Sequence, residues 1–278
     1  MKKVNGVEIL PSILAADFSK MGEEVLAAAQ GGADGLHIDI MDGQFVPPIT
    51  FGSQMIKDIK PYIAQVPMEV HLMVHEPIKM VKELSEIGVD SVIVHSESCL
   101  DLEATLLSIK SHGMQSGVAI KPDTQVDAVE GILDRLDIVL AMTVEPGYGG
   151  QKYIEAVEPK IKRLHELIEQ GNLLTKLEVD GGINESTIRA AYLAGATRFV
   201  CGSAIFDKSK DIYTDKGLDL FNNQIDLGVY DKEIYGDVTL ASYSQNDPVE
   251  VHRVQLLEAK QKTNRLKLEL EALRNENN

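Results

Sequence analysis

The feature that most constrains the fold of this chain is a regular alternation of short apolar runs with longer amphipathic stretches. Most of the apolar runs are rich in Val and Ile, which is typical of strands that are buried on both faces of a parallel sheet. The sequence predicts eight such strands, at Glu8–Leu14, Gly35–Met41, Met68–Val74, Ser91–His95, Ser116–Lys121, Ile138–Val144, Lys176–Asp180 and Arg198–Gly202.

The stretches between these runs predict helices, at Phe18–Ala29, Ile78–Ile87, Leu102–Ser111, Val126–Leu133, Ile154–Glu169 and Ser186–Leu193. Strands that alternate with helices are joined by right-handed crossovers and form a parallel sheet. Eight of them favour a closed barrel over an open sheet, and 278 residues suit a barrel of ~250 residues. We therefore predict an α/β fold, a (β/α)8 TIM barrel with a C-terminal helical extension.

The chain changes character after the eighth run. We place the barrel domain at residues 1–228, with its last helix near Leu218–Leu227, and a polar extension at 229–278. Asp247-Pro248 suits the start of a helix. From there a heptad pattern runs through Val249, His252, Leu256, Ala259, Thr263, Leu266, Leu270, Leu273 and Asn277. The pattern fits either a helix that lies along the barrel or the seam of a coiled coil.

The net charge of −16, from 27 basic and 43 acidic residues, argues against nucleic acid and against an anionic membrane surface as partners. A small anionic substrate stays possible, because backbone amides can hold a phosphate. No apolar run is long enough to span a bilayer. The two cysteines, Cys99 and Cys201, cannot form a disulfide framework, so we expect a cytoplasmic protein.

Four side chains stand near the ends of three predicted strands: His37 and Asp39, His71, and Asp180. In an α/β barrel these ends converge on one mouth. Imidazoles and carboxylates together can bind Zn²⁺, Fe²⁺, Mn²⁺ or Co²⁺, and the lack of cysteine among them favours a catalytic metal site over a structural one. His95 is interpreted as a packed residue at the rim, and Asp42 as structural, because it points away from Asp39.

Glycines follow the sixth, seventh and eighth predicted strands, at Gly147, Gly149 and Gly150, at Gly181 and Gly182, and at Gly202, which precedes Ser203. Glycines at these positions let backbone N–H groups approach a phosphate, and many barrels bind phosphate near strands seven and eight. The alternative is that they only form turns. On pattern alone Met41, Met73 and Met142 are core residues.

Several longer motifs resemble one known family. They are Pro11–Leu14, His37–Gly43, Val70–Met73, Met142–Gln151, Glu178–Ile183 and Gly202–Ile205. In this order, over about residues 7–206, they look like the ribulose-phosphate 3-epimerase family. The resemblance implies a (β/α)8 barrel that interconverts ribulose 5-phosphate and xylulose 5-phosphate with the help of a divalent metal.

Transferred residue by residue, the resemblance implies that Asp39 and Asp180 are the acid/base groups and that His37, Asp39, His71 and Asp180 bind the metal. It implies further that the substrate is contacted by Ser12, His71, Gly147, Tyr148, Gly149, Gly150, Gly181, Gly182, Gly202 and Ser203. Met41, Met73 and Met142 would pack beside the reacting carbons. We also expect a homo-oligomer.

This chain departs from the family pattern in the loop after the second strand, where Gln44 and Pro48 replace the usual His and Asn. Tyr148 stands where Phe is common. Two alternative functions stay open at this point. One is 3-epimerisation of a hexulose phosphate such as allulose 6-phosphate. The other is a scaffold or interaction protein that uses the C-terminal helix.

Overall fold

The computed structural model describes residues 7–63, 66–206, 261–268 and 270. Its eight strands form one parallel sheet in which β1 pairs with β8 and every other strand pairs with its neighbour in sequence. A parallel bridge between Ser12 and His37 joins the first and second strands and closes the barrel. The strands are β1 (Glu8–Pro11), β2 (Leu36–Met41), β3 (Met68–Met73), β4 (Ser91–His95), β5 (Gln115–Ile120), β6 (Ile138–Met142), β7 (Lys176–Asp180) and β8 (Arg198–Cys201). The predicted barrel is confirmed.

Helices connect the strands: α1 (Met21–Gln30), α2 (Ser53–Ile59), α3 (Val81–Ile87), α4 (Leu102–Ser111), α5 (Asp127–Glu130), α6 (Glu158–Gln170) and α7 (Ile188–Leu193). Three of the helices begin later than predicted, because a 3₁₀ turn precedes each one, at Phe18–Lys20, Pro77–Met80 and Glu155–Val157. The prediction missed α2. That helix is short, and only Ile56 and Ile59 on it are buried, so its periodicity is too weak to identify in the sequence.

The inside of the barrel is divided into an apolar half and a charged half. Side chains from β4, β5 and β6 form a small apolar cluster that includes Ile93, Ala119 and Leu140. Buried polar and charged side chains on β2, β3, β7 and β8 fill the opposite half. A much larger apolar core lies between the sheet and its surrounding helices. The charged half is therefore held in place by apolar packing on both sides.

The described part of the C-terminal region is a helix, α8 (residues 261–268). Thr263 and Leu266 on it, and Leu270 just beyond it, are buried. Lys267 Nζ lies 3.0 Å from Asp34 Oδ2, in the turn after α1, and Arg265 Nη2 lies 3.2 Å from Glu185 Oε2, before α7. The described heptad positions thus face the barrel. This agrees with a helix that lies along the barrel rather than with a coiled-coil seam.

The helix predicted near Leu218–Leu227, the helix start at Asp247 and the domain boundary between residues 228 and 229 lie outside the described residues. Among the described helices, none is long and apolar enough to cross a membrane.

Candidate active site

The alternation of β-strand side chains brings the predicted residues into the barrel. On β2, His37 and Asp39 point inward, whereas Leu36, Ile38 and Ile40 belong to the outer core. The register between β2 and β3 places Asp39 beside His71. Asp180 ends β7, on the other side of β8 and β1.

These four side chains meet in one buried cluster. His71 Nδ1 lies 3.1 Å from Asp39 Oδ1 and 3.8 Å from Asp180 Oδ2, and His37 Nε2 lies 3.3 Å and 3.9 Å from the same two atoms. One ligand atom from each of the four residues lies within 4.8 Å of the other three. Two imidazole nitrogens and two carboxylate oxygens at this spacing fit a divalent transition metal.

The electrostatics of the cluster also fit a cation. Burial raises the pKa of Asp180, and the nearby negative charge of Asp39 raises it further, to about 6. Burial also raises the pKa of Asp39, but the charges and hydrogen bonds of His37 and His71 outweigh it, so that this pKa falls far below its usual range. Asp39 and Asp180 are thus two carboxylates that approach the same two imidazoles. A bound cation stabilises such an arrangement, because it offsets the repulsion between the two negative charges.

A second layer of charged residues supports His37 from below. His37 Nδ1 lies 3.0 Å from Glu69 Oε1, and Glu69 also pairs with Arg198. Arg198 reaches Glu178 as well, with Nε 2.6 Å from Oε2, and it pairs with Glu8 on β1. The pKa of Arg198 is raised because the three carboxylates outweigh the effect of burial.

The two glutamates of this layer have opposite pKa shifts. Burial raises the pKa of Glu69, but Arg198 and His37 outweigh it and lower the pKa to about 2. Burial and the negative charge of Glu69 raise the pKa of Glu178 to about 8. His37 Nδ1 lies 3.0 Å from Glu69 Oε1 but 3.6 Å from Glu178 Oε1, so Glu69 is the carboxylate that accepts its hydrogen bond, and His37 Nε2 faces the cluster.

The cluster forms the floor of a cavity of about 440 Å³. Asp39 and Asp180 line the cavity, whereas His37 and His71 are fully buried and are not among its lining residues. The Ser12 hydroxyl lies at the cavity and donates a hydrogen bond of 2.6 Å to Asp39 Oδ2. The wall includes the predicted methionines Met41, Met73 and Met142.

The predicted glycines also line the cavity, together with Tyr148 and Ser203: they are Gly147, Gly149, Gly150, Gly181, Gly182 and Gly202. Gly182 needs to be glycine, because its φ is +66° and a Cβ there would lie 2.4 Å from the backbone nitrogen of Tyr153. The Thr187 hydroxyl donates a 2.8 Å hydrogen bond to the carbonyl of Gly182. That hydrogen bond lies within the segment after β7, and the contact with the loop after β6 is the close approach of Gly182 to Tyr153.

The loop that carries Gln44 and Pro48 follows β2 and folds back on itself, with an antiparallel bridge between Asp42 and Ile49. Asp42 anchors it by accepting hydrogen bonds from the backbone N–H groups of Gln44, Phe45 and His75. This agrees with the structural role expected for Asp42. Pro48 lies in a second, more open cavity beside the glycine loop, where Ile49 is 78% exposed.

Sequence reasoning missed Glu69, Glu178, Arg198 and Glu97, and it gave His95 only a packing role. His95 is fully buried, and its Nε2 lies 2.9 Å from Nε2 of His71. The sequence did contain a signal for two of these residues. Glu69 and Glu178 each precede a predicted metal ligand by two residues, so each must lie on the same face of its strand as that ligand. A charged residue inside a buried strand is itself a sign of a specific partner.

Residues 8–206 match the model of a family described as the ribulose-phosphate 3 epimerase family. The chain is 43% identical to the ribulose-phosphate 3-epimerase of Bacillus subtilis (strain 168), over 73% of this chain and 94% of the relative. It is 37% identical to the enzyme of the same name from Escherichia coli (strain K12), over 72% and 89%. With the chloroplastic ribulose-5-phosphate-3-epimerase of Arabidopsis thaliana it shares 40% identity, over 76% and 75%.

Two solved structures with the same architecture have lower sequence identity to this chain. A mutant tryptophan synthase α-subunit from Pyrococcus furiosus superposes with a TM-score of 0.55 at 16% identity, over 80% of this chain and 98% of its own. KGPDC from Streptococcus mutans gives a TM-score of 0.55 at 13% identity, with the same coverage. At such identities these two matches support the fold alone.

Proposed function

This chain belongs to the ribulose-phosphate 3-epimerase family, and we propose that Asp39 and Asp180 are the two proton-transfer groups of its reaction. The observation that carries the proposal is their shared position. Both carboxylates line the same cavity, and they enter it from β2 and β7. Epimerisation at a carbon next to a ketone needs two such groups, one on each face of that carbon.

The reaction interconverts ribulose 5-phosphate and xylulose 5-phosphate by inverting C3. One carboxylate removes the proton from C3, and the electron pair of the broken C–H bond moves toward the C2 carbonyl, so that an enediolate forms. The other carboxylate then donates a proton to the opposite face of C3. No atom is gained or lost, and the two carboxylates exchange roles in the reverse direction.

We assign the metal ligands as His37, Asp39, His71 and Asp180, for one divalent ion of zinc, iron, manganese or cobalt. When bound, the ion supplies positive charge beside the oxygens on which negative charge develops. Ser12 orients Asp39 through its 2.6 Å hydrogen bond. His71 serves the substrate through the metal cluster rather than by lining the cavity.

The substrate phosphate is assigned to the glycine side of the cavity, formed by residues 147–150, 181–182 and 202–203. Backbone N–H groups there can hold an anion, so a strongly acidic chain can bind a phosphate. Lys152 lines the same cavity. The glycine segments and the two carboxylates line the same cavity, so binding of the phosphate fixes the position of C3 relative to the carboxylates. Met41, Met73 and Met142 form a wall that does not exchange protons.

Deuterium exchange tests the assignment of the two carboxylates. The protein is incubated with ribulose 5-phosphate in D₂O, and deuterium at C3 is measured for the parent and for Asp39→Asn and Asp180→Asn. We expect each variant to lose ~100-fold to 10,000-fold in rate. Asp58→Asn, on the exposed side of α2, is the matched control and should exchange normally. An Asp39→Asn protein with the parent rate would overturn the assignment.

Chelation tests the metal. Removal of divalent ions with a chelator should abolish epimerisation, and each of the four candidate ions is then added back and its stoichiometry measured. We expect one ion per chain in the parent and none in a His37→Ala, His71→Ala double variant. Full activity in metal-free protein would contradict the proposed site.

The names of the relatives favour ribulose 5-phosphate over a hexulose phosphate, and a kinetic comparison of the two substrates tests that preference. The intact ligand set and glycine loops favour an enzyme over a scaffold. A cytoplasmic location, which suits the free thiols of Cys99 and Cys201, belongs to the same proposal. Assembly into a homo-oligomer stays a prediction, as do the lack of a nucleic acid partner and the lack of a membrane partner.

A further inference from the structure

His71 is the first residue of a hydrogen-bonded chain that leads away from the metal cluster. Its Nε2 atom lies 2.9 Å from Nε2 of His95, on the neighbouring strand β4. The other ring nitrogen of His95, Nδ1, lies 3.2 Å from Oε2 of Glu97. Two imidazoles and one carboxylate are thus connected in series, from the interior of the barrel to its rim.

Two hydrogen-bond donors hold the Glu97 carboxylate at the rim end of this chain. Its Oε1 atom accepts a hydrogen bond of 2.9 Å from the backbone N–H of Lys121 and another from the Thr124 hydroxyl. The remaining oxygen, Oε2, is the one that faces His95. As a carboxylate, Glu97 is an acceptor at both oxygens.

The positions of the protons follow from this arrangement. Because Glu97 accepts, His95 carries its proton on Nδ1, and its Nε2 is an acceptor. Two facing nitrogens need one proton between them, so His71 donates from Nε2. When a metal is bound, the Nδ1 atom of His71 is the one that offers a lone pair to it, and this atom lies in the metal cluster, 3.1 Å from Asp39 Oδ1.

We propose that His95 and Glu97 are positioning residues that fix His71 in the tautomer whose Nδ1 can bind the metal. The proposal rests on the metal site assigned above and adds two residues to it. The tautomer of His37 is fixed without an intervening residue, because its Nδ1 contacts Glu69 directly at 3.0 Å and its Nε2 faces the cluster. The two histidines thus use opposite ring nitrogens, and each is oriented by its own carboxylate.

The substitution Glu97→Gln tests the order of donors and acceptors in this series of hydrogen bonds. Lys121 and Thr124 both donate to the position of Oε1, so the amide oxygen of the glutamine must stay there and its NH₂ group must face His95 Nδ1. The NH₂ group donates, which moves the His95 proton to Nε2 and the His71 proton to Nδ1. In that state a proton occupies the position on His71 that the metal needs.

The first readout is metal affinity, measured by zinc titration against a competing chelator. We expect Glu97→Gln to bind zinc ~10-fold to 100-fold more weakly than the parent, the usual effect of losing a residue that orients a ligand. Glu103→Gln makes the same chemical change on the surface of α4, where the side chain is 66% exposed, and should leave the affinity unchanged. A Glu97→Gln protein with the affinity of the parent would overturn the proposal.

The second readout needs no variant. Long-range ¹H–¹⁵N correlation spectra of the parent identify which ring nitrogen of each histidine carries a proton, and we expect His95 to be protonated at Nδ1 both with and without zinc. Protonation of His95 at Nε2 instead would refute the proposed order of donors and acceptors. Failure of the parent to take up zinc would contradict the assigned metal site. The His95 spectrum tests the hydrogen-bonded series independently, because it can be recorded without zinc.

Discussion

Arg198 Nε lies 2.6 Å from Glu178 Oε2 inside the barrel, and both side chains are buried. The same guanidinium pairs with Glu8 and Glu69, so that one cation joins strands β8, β7, β1 and β3 below the candidate active site. Glu69 in turn orients His37. The charge balance of the barrel interior and the geometry of the metal cluster are therefore coupled.

Removal of that cation should destabilise the protein. Arg198→Met leaves three partly or fully buried acidic side chains without their positive partner, and we expect the free energy of unfolding to fall by about 3–5 kcal/mol, as measured by urea unfolding. The matched control is Arg135→Met, which breaks a surface pair with Glu103 and should cost at most about 1 kcal/mol. Equal losses in the two variants would mean that the buried network has no special role.

Gly182→Ala should impair substrate binding. The new Cβ would meet the backbone nitrogen of Tyr153 at 2.4 Å, so the loops after β6 and β7 must move apart where the phosphate is assigned. We expect KM for ribulose 5-phosphate to rise at least ~10-fold, since 1.4 kcal/mol of lost binding has that effect.

Gly113→Ala is the control for this prediction. It introduces the same side chain at a similar positive φ of +80°, but with no atom within 4 Å and far from the cavity. It should reduce stability by about 1 kcal/mol through backbone strain and leave KM unchanged. If KM rises equally in both variants, the effect is not specific to the phosphate loops.

The packing of α8 against the barrel can be tested with two leucines of the same helix. Leu266 is 2% exposed and Leu268 is 64% exposed. We expect Leu266→Ala to lower the free energy of unfolding by about 2–5 kcal/mol, because it leaves a cavity in the core, and Leu268→Ala to change it by less than about 0.5 kcal/mol. A larger loss for Leu268→Ala would indicate that the other face of the helix is the buried one.

Glu97 should make stability depend on pH. Burial raises its pKa, but the hydrogen bonds from His95, Lys121 and Thr124 outweigh burial and lower the pKa to about 2, from an ordinary value of 4.5. A group with a lowered pKa stabilises the folded state above its unfolded pKa, and the contribution disappears as the pH falls through the folded pKa. The stability difference between the parent and Glu97→Gln should therefore be full at pH 7 and shrink between pH 4.5 and pH 2.

Urea unfolding of both proteins at pH 7, 5 and 3 measures this dependence. Glu103→Gln again serves as the control, because its partner Arg135 is exposed and the pair contributes little at any pH. A difference between the parent and Glu97→Gln that is as large at pH 3 as at pH 7 would contradict the prediction.

The sequence by itself determined the barrel and the inner face of β2. Alternating strand and helix patterns are local, and the period of two along a strand assigns His37 and Asp39 to one face without any knowledge of their neighbours. Strand ends in a barrel converge, so the grouping of these residues with His71 and Asp180 could also be anticipated. The resemblance of the motifs then identified the chemistry.

Only the tertiary structure decided how the cluster is supported. Arg198 and Glu69 are 129 residues apart in the chain and meet only because the closed barrel brings β8 and β3 to the same interior layer. The contact between Nε2 of His71 and Nε2 of His95 likewise depends on the register between β3 and β4 and on side-chain orientation. Local periodicity gives the face on which a side chain lies, but which partner it meets across the barrel is set by closure and packing, and no local pattern encodes that.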